Sequence, residues 1–193
     1  QMITTINERI DLIAAMGIQH LVIIPFTQTF ANLTPQEYVE HFLIEKFHPH
    51  TIIIGYDHRY GHDRKGDYAL LCEYRSRGFF AIKEIPPRVV NDNTVSSTLI
   101  REAILKGDIH SANTLLGYDF FFEGKVMPGD KRGRALGFPT ANLTVENEEK
   151  LIPANGVYAI TAGLKSAKYQ RLSLTGMMNI GVRPTVDGST RTI

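Results

Sequence analysis

Apolar residues fall along this chain in two textures, and the change between them organises the reading. Over residues 1–16, Ile6, Ile10 and Ile13 recur at helical spacing, with Gly17 placed to end the helix. Residues 20–26 (HLVIIPF) are an apolar run rich in β-branched side chains, which predicts a strand buried on both faces. Thr34-Pro35-Gln36-Glu37 is a capping box with proline at the first helical position. The helix it opens carries Val39, Phe42, Leu43 and Phe47 on one face. Residues 51–55 (TIIIG) predict a second buried strand. A further helix is predicted over 67–76, with Leu70, Leu71 and Tyr74 inward and Gly78 at its end. Residues 79–85 then predict a third strand, closed by Pro86 and Pro87. Strands alternating with helices of this length give βαβ units around a parallel sheet.

Two more helices follow, 96–106 stopped by Gly107 and 108–116 capped by Gly117. From Tyr118 helical periodicity vanishes. Residues 120–126, 157–162 and 171–178 read as strands separated by Gly, Pro and Asn turns. The switch predicts a domain boundary near residue 117, with an α/β module over 1–117 and an all-β module over 118–193.

Composition narrows the class. The apolar share of 43% and charged share of 21% are those of a soluble globular protein. Lys+Arg of 21 against Asp+Glu of 20 leaves +1, so no global field steers the chain onto nucleic acid. Cys72 is the only cysteine, which excludes an intrachain disulfide and a thiolate metal cage and suits a reducing compartment. The apolar runs are far too short to span a bilayer, and no basic-then-apolar leader opens the sequence. A cytoplasmic protein without a membrane partner is expected.

Candidate chemistry concentrates in residues 123–143 (EGKVMPGDKRGRALGFPTANL). Gly124, Gly129, Gly133 and Gly137 sit among Lys125, Lys131, Arg132 and Arg134. Glycines let the backbone approach a ligand closely, and arginines bind phosphate in forked geometry. Thr140 and Asn142 are two residues apart, so in an extended segment they share a face that could meet a hard cation or a phosphate oxygen. The plainer alternative is a solvated basic hairpin loop, and Lys/Arg clusters also track nucleic-acid backbones.

Two other stretches carry polar groups at element ends. Residues 55–61 (GYDHRYG) leave a strand with a carboxylate, a guanidinium and aromatic rings between glycines. A metal site from Asp57, His58, His62 and Asp63 is disfavoured, because Gly55 and Gly61 oppose the helix that would align ligands. Ser96-Ser97-Thr98, with Arg101 one turn along, is a ready anion site at a helix N-terminus. Taken alone, a plain N-cap is the favoured reading.

The order GYDHRYG, SSTLIR, GKVMPGDKRGRALGFPTANL, LIPANGVY and NIGVRPT closely resembles the bacterial bifunctional riboflavin kinase/FMN adenylyltransferase family (FAD synthetase). The resemblance runs over essentially the whole chain. It implies a Rossmann-like nucleotidyltransferase module followed by a six-stranded Greek-key barrel with riboflavin kinase activity. Gly55, Asp57 and Gly61 would contact flavin or nucleotide, and Ser96, Ser97, Thr98 and Arg101 the ATP phosphates. By the same resemblance the loop holding Gly129, Arg132, Gly133, Arg134 and Gly137 folds over ATP. Thr140 and Asn142 hold Mg²⁺ and its phosphates, and Asn179 lies near the substrates riboflavin and FMN.

Three departures accompany the match. His58 stands where the family usually has an aromatic residue. The family's His-containing nucleotide motif and the kinase's glutamate base have no counterpart among these residues, so no catalytic residue is assigned. The sequence is therefore expected to be the middle of a longer protein and inactive alone. The implied partners are small molecules, with nucleic acid disfavoured and self-association into a homo-oligomer open. The rival class is a non-catalytic RNA-binding module with Lys125, Lys131, Arg132 and Arg134 as its footprint.

Overall fold

The computed structural model describes residues 1–90, 93–128, 137, 140–165, 173–185 and 188–193. Its contacts form two units, His20–Thr94 and a second made of Gln1–Gln19 with Val95–Ile193. The chain opens in the second unit with α1 (Ile6–Ala15). Thr5 and Glu8 close a capping box: Thr5 Oγ1 accepts the Glu8 N–H at 3.2 Å, and Glu8 Oε2 accepts the Thr5 N–H at 2.8 Å. Gly17, at φ 77°, ends the helix as its spacing predicts.

In His20–Thr94 the short helix α2 (Gln28–Ala31) leads to α3 (Pro35–Glu37), a π-helix (Tyr38–Ile44) and α4 (Glu45–Phe47). The capping box at Thr34 and Glu37 is present, with Pro35 at the helix start. The amphipathic face expected beyond it holds in part: Val39 is buried, Leu43 packs against the core and Phe42 is half-buried, but the face does not extend to Phe47. A π-helix closes i→i+5 bonds, here from the Glu45 N–H to the Glu40 carbonyl. The wider turns carry Phe47 off the line of Val39 and Leu43, and it is 45% exposed.

Strand β1 (Thr51–Gly55), helix α5 (Tyr68–Ser76) and strand β2 (Ala81–Ile85) make the expected βαβ unit. Its two strands pair in parallel from Thr51↔Ala81 to Gly55↔Ile85. Asp67 caps α5, whose Leu71 and Tyr74 point inward, and Gly78 turns the chain at φ 84°. Val39, Ile54, Tyr60, Leu71, Tyr74 and Phe80 form the buried core of this unit. Each such side chain contributes about 1.5–3 kcal/mol by burial. The Tyr74 hydroxyl donates to Glu40 Oε1 at 2.8 Å; burial and that bond push its pKa up to about 12.

Two strand expectations fail here. Residues 20–26 form no strand: Leu21 to Ile24 are exposed and Phe26 is 80% exposed. β1 and β2 pair only with each other, so among the described residues this run has no ladder partner, and Pro25 removes one donor. β1 is a strand but is covered on one face only. Ile54 is buried while Ile53 lies exposed. A small antiparallel pair, β3 (Val89–Val90) with β4 (Asn93–Thr94), completes the unit.

In the other unit, α6 (Ser97–Lys106) and α7 (Ile109–Leu116) end on Gly107 and Gly117, both at φ 79°. Ile100, Ile104, Ala112 and Leu151 pack into its core, flanked by Ile3 and Phe120. The all-β texture yields β5 (Lys125–Met127), β6 (Asn142–Thr144), β7 (Gly156–Gly163), β8 (Ser173–Thr185) and β9 (Gly188–Thr192). β5 pairs antiparallel with β6, and β7–β8–β9 form an antiparallel sheet. The Leu143 N–H donates to the Ile193 carbonyl at 2.9 Å, which sets β6 beside the end of β9.

The strand expected over 120–126 is shorter than its pattern. The Phe121 carbonyl accepts from Lys150 Nζ and the Glu123 N–H donates to Glu8 Oε1, so groups a ladder would use go to side chains. Among the described residues no helix is long and apolar enough to cross a membrane.

Candidate functional site

The loop after β1 is built by packing before chemistry. The Tyr56 N–H extends the ladder to the Ile85 carbonyl at 3.1 Å, and the His58 N–H closes a turn on the Gly55 carbonyl at 3.1 Å. That turn presents Asp57 and His58 to solvent. Tyr60 returns to the core and exchanges two backbone hydrogen bonds with Gly66. A Cβ on Gly66 would sit 2.4 Å from the Tyr60 ring. Gly61 has φ 72° and ψ 177°, a region left to glycine, and a Cβ there would lie 2.7 Å from Pro35 Cα and N. Gly61 therefore seats the loop on the start of α3. The His58 ring stacks on Tyr60 at 6.3 Å between ring centroids.

Arg59 is tethered: its Nη1 donates to Asp67 Oδ2 at 2.7 Å, and Asp67 Oδ1 accepts the Leu70 N–H at 3.1 Å. The Leu70 N–H first, then Arg59, holds the Asp67 carboxyl below its ordinary pKa. A depressed folded pKa contributes stability above the unfolded value, and that contribution is lost as pH falls through the folded one. Acidification should therefore free Arg59 and fray the start of α5 only below the ordinary carboxylate range. Amide NMR of Leu70 across an acid titration checks this; loosening near neutrality would contradict it. Asp63 pairs with Lys65 at 3.1 Å and His62 at 3.3 Å. No group of three or more metal-capable side chains gathers among the described residues.

At the head of α6, Ser96 Oγ accepts the Leu99 N–H at 3.4 Å, which is an N-cap. Ser97 and Thr98 are exposed on the first turn. Arg101 is half-buried, and its Nε donates to the Gln1 carbonyl at 3.2 Å.

In the β region Gly137 has φ 81° and Thr140 is exposed just ahead of β6. Asn142 opens β6, half-buried and paired with Met127. Asn179 sits exposed on β8 opposite Val157. The strand neighbours bring these together: Leu143 bonds to Ile193, which follows Thr192, the partner of Gly181. Asn142 and Asn179 thus lie on strands separated only by β9. Gly129, Lys131, Arg132, Gly133 and Arg134 lie outside the described residues. Thr140 and Asn142 offer neutral oxygens, the hard donors that Mg²⁺ accepts when it keeps most of its waters.

Sequence reasoning missed one buried cluster. Glu8 and Lys150 are 1% and 2% exposed, and Lys150 Nζ donates to Glu8 Oε2 at 2.7 Å. Burial lowers the Lys150 pKa, and the Glu8 hydrogen bond opposes that shift. Thr5-x-x-Glu8 is a legible capping-box signature, but nothing local marks Lys150 as its partner.

Residues 1–99 match the family model described as FAD synthetase, and residues 116–193 the one described as riboflavin kinase. The chain belongs to the FAD synthetase family. A bifunctional riboflavin kinase/FMN adenylyltransferase of Listeria monocytogenes is 35% identical over 95% of this chain and 56% of its own length. Its counterpart in Escherichia coli K12 is 33% identical over 96% of this chain and 58% of its own. The chain thus spans somewhat more than half the length of these relatives. A crystal structure of a protein from Streptococcus pneumoniae, described as a macrolide-efflux protein, superposes with a TM-score of 0.81 at 30% identity. It covers 98% of this chain and 59% of the other.

Proposed function

We propose that the full-length protein makes FAD from riboflavin in two steps, ATP-dependent phosphorylation to FMN and adenylylation of FMN. The observation that carries this reading is the succession of the two family matches along one chain. The adenylyltransferase module would be residues 1–117, Rossmann-like, which the parallel β1–α5–β2 unit supports. The kinase module would be residues 118–193, a Greek-key barrel. The neighbour order β5–β6–β9–β8–β7, with β6 returning beside β9, supports that topology. A cytoplasmic setting fits a lone cysteine and nucleotide substrates.

Within the kinase module, the Thr140 hydroxyl and Asn142 amide oxygen would hold Mg²⁺ and orient the nucleotide. When bound, Mg²⁺ neutralises phosphate charge during phosphoryl transfer. Asn179 would contact flavin from the far side of β9. In the adenylyltransferase module, Ser96, Ser97, Thr98 and Arg101 would bind phosphate at the head of α6. Gly55, Asp57 and Gly61 would shape the flavin or nucleotide contact, with Asp57 as its one exposed carboxylate.

Incubating the full-length gene product with riboflavin, ATP and Mg²⁺ should give FMN and FAD by chromatography. Thr140→Ala should lower FMN formation by at least about tenfold, because the lost ligand misaligns the nucleotide. FAD formation from supplied FMN should hold within about twofold, as for independent sites. Equal loss of both activities would sink the two-site reading.

A further inference from the structure

Helix α1 lies in the stretch matched to FAD synthetase, yet its buried polar contacts go to the stretch matched to riboflavin kinase. Besides Glu8, Lys150 Nζ donates to the Ile3 carbonyl at 2.6 Å and the Phe121 carbonyl at 2.7 Å. All three ammonium protons are therefore used. The Phe120 ring centroid lies 4.7 Å from the same nitrogen. Glu8 is as fully engaged, since Oε1 accepts the Glu123 N–H at 3.3 Å and Oε2 the Thr5 N–H. Around this buried knot Lys165 ties Asp11, at 3.0 Å, to Glu123.

Burying two charges costs desolvation that well-packed apolar residues would avoid, so stability alone is a weak reason for the pair. What charged groups add is direction. Within the stretch matched to riboflavin kinase, the knot holds the chain at two places, Phe121 to Glu123 and Lys150 itself. The first runs into β5, whose Met127 pairs with Asn142. The second runs through the buried Leu151 towards β7, whose Val157 pairs with Asn179. We propose that Glu8 and Lys150 are positioning residues for the riboflavin kinase site, clamping the approaches to β5 and β7 so that Asn142 and Asn179 keep a fixed separation. This rests on the reading of that site given above.

The test compares the full-length gene product with Lys150→Met, Glu8→Gln and the double variant. Thermal unfolding reports stability. Quenching of flavin fluorescence on titrating riboflavin in MgADP reports the site. Lys150→Met strands a buried carboxylate and should lower both melting temperature and affinity. In the double variant no charge is buried, so most of the lost melting temperature should return. The substituted thioether would still offer no donor to the Ile3 and Phe121 carbonyls, so riboflavin affinity should stay roughly tenfold below that of the unsubstituted protein. Affinity that recovers in step with melting temperature would overturn the positioning role, as would affinity unchanged in all three variants. If the unsubstituted protein binds neither riboflavin nor MgADP, the functional reading itself fails and this proposal goes with it.

Discussion

Replacing Glu8 with alanine should lower the unfolding free energy by about 3–5 kcal/mol, because it leaves the Lys150 ammonium buried without its counter-charge. Typical domains are stable by only about 5–15 kcal/mol, so this loss is a large share of the total. Denaturant melts of Glu8→Ala beside Lys165→Ala make the measurement specific. Lys165 carries two ion pairs of its own, but its side chain is 69% exposed. Exposed pairs are worth about 0–1 kcal/mol, so Lys165→Ala should be nearly silent. Similar losses from the two substitutions would show that burial of the Glu8 pair is not what matters.

Gly61→Ala is the second large effect expected. The backbone region that Gly61 occupies costs other residues about 1–3 kcal/mol, and the new Cβ would meet Pro35 backbone that cannot swing aside. Gly117→Ala is the natural comparison: it has a positive φ of 79° but open space around its Cβ. Its cost should be limited to about 1–2 kcal/mol of left-handed strain. Gly61→Ala should therefore melt lower than Gly117→Ala. An equal or smaller drop would mean that the loop is not seated on Pro35.

The features legible in the sequence are those that local chemistry decides. The Thr34 and Glu37 capping box, the terminating glycines at 17, 78, 107 and 117, and the βαβ unit all follow from spacing and end residues. What was not legible depends on neighbours distant in sequence. An apolar run such as 20–26 becomes a strand only with another strand to pair against. The helical face through Phe47 assumed 3.6 residues per turn, and the π-helix at Tyr38–Ile44 breaks that count. Residues 120–124 read as strand by composition, yet two of their backbone groups are claimed by Lys150 and Glu8.

The candidate site divides the same way. Ser96 was readable as a helix cap, and that is how its hydroxyl is placed. That Asn142 and Asn179 lie on the two strands flanking β9 comes from strand order, which no spacing rule supplies. Gly61 was singled out as a ligand contact by resemblance. Its conformation and its packing on Pro35 by themselves require glycine, which the motif alone does not reveal.

The Glu8–Lys150 contact also bears on how the molecule is made. Its partners are 142 residues apart in the chain. At ribosomal rates of about 5–20 residues per second, Glu8 waits roughly seven to thirty seconds for Lys150 to be synthesised. A ten-residue helix such as α1 is marginal on its own in water. During translation α1 should therefore flicker, its carboxylate hydrated, and settle only when the downstream segment emerges to take up its charge.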